Sequence, residues 1–260
     1  MIGFLLRKTL YDLWDNMFRV VLLNIGFLVT AAFPVFVPAL AGNFFASVPL
    51  QMALSAFGIL LCSVYLAAAA LCLQSVSDYG FFGFADFLRN LKTAWRAGLV
   101  MGCLLFLLFL DVTVILPFYL FLESPVGLVF AAVIFWITIF ALISFQFYFA
   151  VYSRLNKNLY KALKKCMIIS LDNTAFSLFL LIHNFLALLL SVVFVFLFPG
   201  PAGGLLYLDE ALRLRLLKYD WLEENPGANR RKIPWNALLI EERERTGVRS
   251  LRNFIFPWKD

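Results

Sequence analysis

Charge is scarce in this sequence. Lysine, arginine, aspartate and glutamate make up 15% of its 260 residues, and 63% are apolar, against roughly 25% and 45 to 50% in an ordinary soluble domain. A water-soluble fold needs polar groups over its core, so a chain this poor in charge is excluded from that class. Histidine occurs once, which leaves little scope for a catalytic triad or a histidine metal site. Cys62, Cys72, Cys103 and Cys166 show no close pair and no metal-ligand spacing, and they read as small hydrophobic residues. Also missing are a G-x-x-x-x-G-K-[ST] phosphate loop, an H-E-x-x-H pair and a G-x-S-x-G elbow, the local patterns that cradle phosphate, hold zinc or expose a serine nucleophile. The expectation is a non-enzyme with no catalytic residues, no cofactor and no metal.

What is abundant is hydrocarbon. Thirty phenylalanines and a mean hydropathy of +0.87 make the bilayer the solvent. A transmembrane helix needs about 20 mostly apolar residues, and five such runs stand out: Met17 to Ala41, Val48 to Leu73, Ala97 to Leu122, Pro125 to Val151 and Thr174 to Phe198. The fold class is therefore all-α: a polytopic membrane helix bundle of five spans, with a short or re-entrant sixth and amphipathic interfacial helices. Residues 1–221 form the bundle, and residues 222–260 form a basic, aromatic tail.

The N-terminus does not read as a cleaved leader, because Arg7 and Lys8 follow the first apolar residues instead of preceding them. Phe4, Leu5, Leu13, Trp14 and Phe18 interleaved with Arg7, Lys8, Asp12 and Asp15 predict a short helix lying at the interface. Basic residues then orient the chain, since Lys and Arg near span ends are retained on the cytoplasmic side. Residues 42–47 and 123–124 contain neither; the connector before the third span has Arg89, Lys92 and Arg96, and the one before the fifth has Arg154, Lys157, Lys161, Lys164 and Lys165. The N-terminus and both connectors are placed in the cytoplasm. Phe84, Phe87, Leu88, Leu91 and Trp95 share one amphipathic face, and Leu155, Leu159, Ala162, Leu163 and Cys166 share another. Their basic faces either anchor on anionic headgroups or dock a cytoplasmic partner. Charge at membrane edges accounts for the net +6 without nucleic acid.

Five crossings alone would export a tail rich in Arg and Lys, against the rule just applied. A sixth element over Gly203 to Tyr219, introduced by Pro199, Gly200 and Pro201, returns it. Its Asp209, Glu210, Arg213 and Arg215 would together cost about 10 kcal/mol facing lipid, so neighbouring helices or water must shield them. Helical spacing sets Asp209 four and Glu210 three residues before Arg213, which predicts pairing along one face. In the tail, Pro234 and Gly247 bound a short helix, and Leu251, Phe254, Ile255, Phe256 and Trp258 among Arg249, Arg252 and Lys259 suit a membrane or partner surface.

Asp111 falls inside the third span, where an ionisable residue is a functional candidate by default. Pro117 removes the hydrogen bond to the Thr113 carbonyl and leaves it free near Asp111. Two readings stand: a proton or cation site, or a carboxylate neutralised by protonation or paired with another helix. His183 and Asn184 in the fifth span, Asn24 and Arg19 in the first and Gln146 in the fourth are candidates for one polar seam. Pro34 and Pro38 predict a kink in the first span, and Ala67 to Ala70 offers a face for close helix packing.

Three segments carry a resemblance: Tyr11 to Pro38, "DFLRNLKTAWRAGLVMGCLLFLLFLD" over Asp86 to Asp111, and "YFAVYSRLNKNLYKALKKCMIISLDN" over Tyr148 to Asn173. In element order and in these residues the chain resembles the YesL-like family of bacterial membrane proteins. The resemblance implies a bundle of five or six helices in a bacterial inner membrane and an association with carbohydrate ABC importers, and it carries no catalytic residues. The acidic pair Asp209, Glu210 and the tail beyond Trp221 depart from the family. The expected function is a non-enzymatic accessory subunit beside ABC permease subunits; the alternative is a small secondary transporter or channel using the Asp111 carboxylate. The sequence leaves the oligomeric state open.

Overall fold

The computed structural model describes residues 1–45, 47–122, 124–155, 157–230 and 232–247. Among these, the helices in chain order are α1 (Ile2–Asp15), α2 (Met17–Phe44), α3 (Val48–Ser77), α4 (Phe84–Leu110), a π-helical segment (Asp111–Ile115), α5 (Leu116–Leu120), α6 (Pro125–Phe145), α7 (Tyr148–Arg154), α8 (Leu159–Asp172), α9 (Thr174–Val193), α10 (Gly200–Glu224), α11 (Trp235–Leu238) and α12 (Ile240–Thr246). No strand forms among the described residues. Five helical stretches are long and apolar enough to cross a membrane: α2, α3, α4 through α5, α6 through α7, and α9. The protein is an all-α polytopic membrane bundle in contact with lipid.

The bundle is built around α3. Ala67, Ala68, Ala69 and Ala70 are all buried. Four consecutive buried positions, about 100° apart around a helix, mean that neighbours cover every side; they are α2, α4, α7 and α10. Alanine and glycine make this possible by letting axes approach closely, which in a bilayer replaces the hydrophobic driving force available in water. A Cβ on Gly98 of α4 would lie 2.4 Å from the Val64 Cα, and one on Gly58 of α3 would lie 2.7 Å from Pro34 of α2. α2 stays helical through Pro34 and Pro38.

The first connector is helical, as expected, and feeds straight into its span: α4 runs unbroken from Phe84, because Ala94, Ala97, Gly98 and Gly102 continue one buried stripe along α3. Phe84, Leu88 and Trp95 are left on the outward side. The second connector does form its own helix, α8, with Ala162 and Cys166 fully buried on the expected face. α1 buries a mixed face, on which Phe4, Leu5, Tyr11 and Leu13 are joined by polar residues. Lys8, Thr9 and Asp12 turn inward against α10, while Ile2, Leu6 and Leu10, four residues apart and so on one face, point outward.

The fifth span ends at Val193, short of Phe198, since Val195 and Phe196 adopt positive φ and reverse the chain. The sixth element follows as α10, which begins beside Ser191 and Asn24. From Gly200 to Asp209 it covers about 14 Å of axis, about half of a roughly 30 Å hydrocarbon core. α10 starts inside the bundle, runs back along α9 and emerges at the end where α3 and α7 finish, the basic end. It continues past Trp221 to Glu224. α12 folds back onto the same end through Glu242, and the aromatic and basic stretch from Arg249 to Lys259 lies outside the described residues.

Candidate functional site

Polar side chains gather in several places, of which two bear on function, an ion cluster at the basic end and a cleft on the outer flank; a third, Asp172 and Asn173 with Lys218 and Tyr219, ties α8 to α10. The cluster is assembled from five elements. Lys8 of α1 donates to Asp12 at 2.5 Å, to the Ser77 carbonyl at 3.1 Å and to Glu210 at 3.4 Å, and Thr9 donates to the other oxygen of Glu210. Arg154, at the end of α7, grips Asp209 with two bonds, Nε at 2.9 Å and Nη2 at 2.5 Å, and reaches Asp78 at 3.0 Å. Arg213 joins the Ser77 carbonyl, Asp78 and, at 2.5 Å, Glu242 of α12.

Tyr79 is the hub. It takes a left-handed backbone at φ 61° just past the end of α3, a conformation uncommon outside glycine. There its ring lies 4.4 Å from Lys8 Nζ and 5.4 Å from the Arg213 guanidinium, a cation–π arrangement, and its hydroxyl donates to Glu242 at 2.8 Å. Burial by itself would lower the Lys8 pKa, but the Glu210 and Asp12 carboxylates outweigh it and hold the ammonium above its ordinary 10.5. Lys8 therefore stays charged. Five carboxylates, Asp12, Asp78, Asp209, Glu210 and Glu242, share three cations, Lys8, Arg154 and Arg213, and the Thr9, Ser77 and Tyr79 hydroxyls supply or share further bonds. A pair cut off from water holds together only when such extra bonds saturate it.

This corrects the expected pairing of Asp209 and Glu210 with Arg213 along one face. The three are shielded, as required, with Asp209 and Glu210 exposed by only 3% and 1%. Each finds a partner on a different element instead, Asp209 on α7, Glu210 on α1 and Arg213 on α3 and α12. Successive helix positions point about 100° apart, so residues on a helix enclosed on several sides serve different neighbours.

The expected polar seam is also divided. Asn24 closes the start of α10: its amide donates to the carbonyls of Leu197 and Pro199 at 2.9 and 2.8 Å, and its oxygen accepts from the Ala202 N–H at 2.9 Å. Gly200 is required there, with φ +60° and a hypothetical Cβ within 2.4 Å of the Asn24 side chain. His183 stacks on Tyr207 at 4.3 Å between ring centroids, Asn184 lies against Gly204, and Gln146 donates to the Ser177 carbonyl at 2.9 Å. Arg19 donates to Asn16 at 2.9 Å. These residues pin separate helix contacts, most of them around α10, and do not converge.

The second place is the cleft between α4 and α6. Asp111 opens the π-helical segment, in which the Leu116 N–H bonds to the Asp111 carbonyl five residues back, a distortion frequent at functional sites. The Asp111 carboxyl accepts a hydrogen bond from Thr138 of α6 and faces a cavity of about 290 Å³ lined otherwise by apolar side chains such as Leu107, Ile134 and Phe145. The Thr113 hydroxyl turns away, back to the Phe109 carbonyl at 2.6 Å, because residues two apart do not share a helix face. Among the described residues no cation lies within ion-pair distance of Asp111. The cleft opens onto the flank where Val129, Val133, Trp136 and Ile137 are exposed.

On the basic faces Arg89, Lys92 and Arg96 are exposed along α4, and Lys157, Lys161 and Lys164 around α8, with Lys165 half-buried. Arg89 pairs with Asp86 at 2.5 Å, and Arg96 lies over the Trp95 ring at 5.2 Å. Sequence reasoning missed Ser77, Asp78, Tyr79 and Glu242 as partners, and the inward turn of Lys8 and Asp12. The one local signal was Lys8 and Asp12 at i, i+4 in a segment otherwise rich in large apolar residues. No group of histidine, cysteine, aspartate or glutamate among the described residues is arranged to hold a metal ion. The class of protein is a polytopic membrane bundle with a charge-locked sixth long helix, α10. Compared with protein-family models, curated proteins and solved structures, the chain finds no match in any of the three.

Proposed function

We propose that this protein is a non-enzymatic accessory subunit of the membrane, which associates through its outer flank with the permease of a carbohydrate ABC uptake system. One observation carries the reading: Asp111 opens sideways toward the bilayer, in an apolar cleft on the rim of the bundle, with one hydroxyl as its partner. An intramembrane carboxyl is costly facing lipid. At the rim, a second protein's helix can relieve that cost by contributing a hydrogen-bond donor or a cation. The exposed lysines of α8 extend the contact to the basic end, and the positive-inside rule supports placing that end, with the N-terminus, in the cytoplasm of an inner membrane. The carbohydrate system as partner rests on the resemblance to YesL-like proteins.

The transporter alternative needs the carboxyl on a path between the two sides. A packed α3 post with α10 held by ion pairs favours the accessory reading instead. Extraction from the native membrane in gentle detergent tests it. The expected result is co-purification with permease subunits, a loss of oligosaccharide uptake on deletion, and release of the permease by Asp111→Leu. Isolation of this polypeptide alone together with unchanged uptake would overturn the proposal. Uptake by the purified protein in proteoliposomes, abolished by Asp111→Asn, would establish the transporter in its place.

A further inference from the structure

A second cavity, of about 560 Å³, lies between α2 and the start of α4, lined by Leu22, Leu23, Gly26, Tyr65 and Phe87, with Arg19 at its mouth. Its polarity is graded along the bundle axis. At the inner end Gly26 leaves room for Tyr65, whose hydroxyl is turned away to the Leu23 carbonyl at 2.8 Å and whose ring packs on Phe87 at 5.2 Å. That end presents only hydrocarbon and ring faces. Arg19, about 10 Å nearer the basic end along α2, has its guanidinium oriented by the Asn16 oxygen at 2.9 Å and by the Phe81 ring at 5.1 Å. The N-terminus of α4 adjoins it at Gly83 and Phe84, and a helix start favours negative charge. Asp86, the nearest acid on α4, is engaged by the Gly83 N–H and by Arg89. Phe81 and Phe84, each 76% exposed, flank the mouth.

A guanidinium at the level of the headgroups, joined to an apolar slot that runs toward the membrane interior, is complementary to one kind of molecule. We infer that this cavity binds a single anionic phospholipid, with its phosphate on Arg19 and one acyl chain between Leu22, Leu23 and Phe87. A free phosphate would leave the slot unused, and a zwitterionic lipid brings no net charge to the guanidinium. Lys92 and Arg96, exposed further along α4, do not line this cavity.

Native mass spectrometry of the full chain in nonionic detergent, with dioleoylphosphatidylglycerol or dioleoylphosphatidylcholine added, counts the lipids retained. One phosphatidylglycerol should be kept and phosphatidylcholine lost. Arg19→Ala should weaken retention about tenfold or more, the effect of removing one charge-assisted bond. Leu22→Trp, which fills the slot and spares the guanidinium, should weaken it as well, and Arg19→Lys should retain part. Lys232→Ala, which removes a charge elsewhere, should change nothing. Equal retention of the two lipids, wild-type retention by Arg19→Ala and Leu22→Trp, or full displacement by excess inorganic phosphate would overturn the inference.

Discussion

The basic end and the outer flank solve opposite problems with the same chemistry. At the basic end, carboxylates are crowded against cations and each ionic side chain finds partners within the molecule, whereas on the flank a single carboxyl sits in hydrocarbon with one hydroxyl. The denser charge is the more committed one. Saturated ion pairs hold α1, α3, α7, α10 and α12 in one arrangement, and a group already paired on several sides has nothing left to offer a ligand. Asp111, with its second oxygen unengaged by any described cation, is the group that can still be satisfied from outside.

The largest effect should come from leaving a buried charge without its partner. Arg154→Ala strands Asp209, and the expected loss is about 3 to 5 kcal/mol in unfolding measured in detergent. Replacing both, as Arg154→Met with Asp209→Leu, should recover most of it, and a double variant as unstable as the single one would show that the pair does more than satisfy itself. Next is Asn24→Ala, which removes three bonds at the start of α10 and exposes no compensating donor; about 1 to 3 kcal/mol should be lost. The mobility of α10 should rise with it, read as faster amide exchange over Gly200 to Leu206.

A smaller, pH-dependent effect is expected at Asp172, which ties α8 to α10 through the Tyr219 hydroxyl at 2.9 Å and Lys218 at 3.3 Å. Burial would raise its pKa, but the hydrogen bonds from Tyr219 and Lys218 and the Lys218 charge prevail and set it below the ordinary 3.8. A carboxylate with a depressed folded-state pKa adds stability above its unfolded value, and that share is lost as pH falls through the folded value. Unfolding followed downward from about pH 5 should steepen below the ordinary carboxylate range. Asp172→Asn should flatten the profile there, modestly, since the side chain is 32% exposed. The smallest effect on stability should be that of Asp111→Leu, within about 0.5 kcal/mol or slightly stabilising. A loss as large as that of Arg154→Ala would erase the contrast between the two regions.

Hydropathy made the five spans legible because apolar length is a property of contiguous residues, and the same holds for Ala67 to Ala70 and the amphipathic face of α8. A helix after the fifth span was legible through charge, since Arg and Lys beyond Phe198 led to the expectation of a return, and Pro199, Gly200 and Pro201 mark its start. The partners within the cluster were not. Glu210 meets Lys8 across 202 positions and Asp209 meets Arg154 across 55, while the nearer pairing with Arg213 was available on spacing alone. Thr138 was equally hidden, since a threonine in an apolar span carries no mark of the carboxyl it will serve. The inward turn of Lys8, Thr9 and Asp12 escaped because the apolar residues of α1 give no sign that polar ones share the covered face.

The sequence by itself determined the solvent of this protein, the number of long apolar helices and the end on which its charge collects, since each follows from local composition read against the thickness of a bilayer. Only the tertiary structure decided which charges are spent and which remains open. Pairing depends on which helices α3 gathers around it, and that is set by close backbone approach at residues such as Gly98, Gly58 and Gly102, whose consequence appears only when another helix arrives.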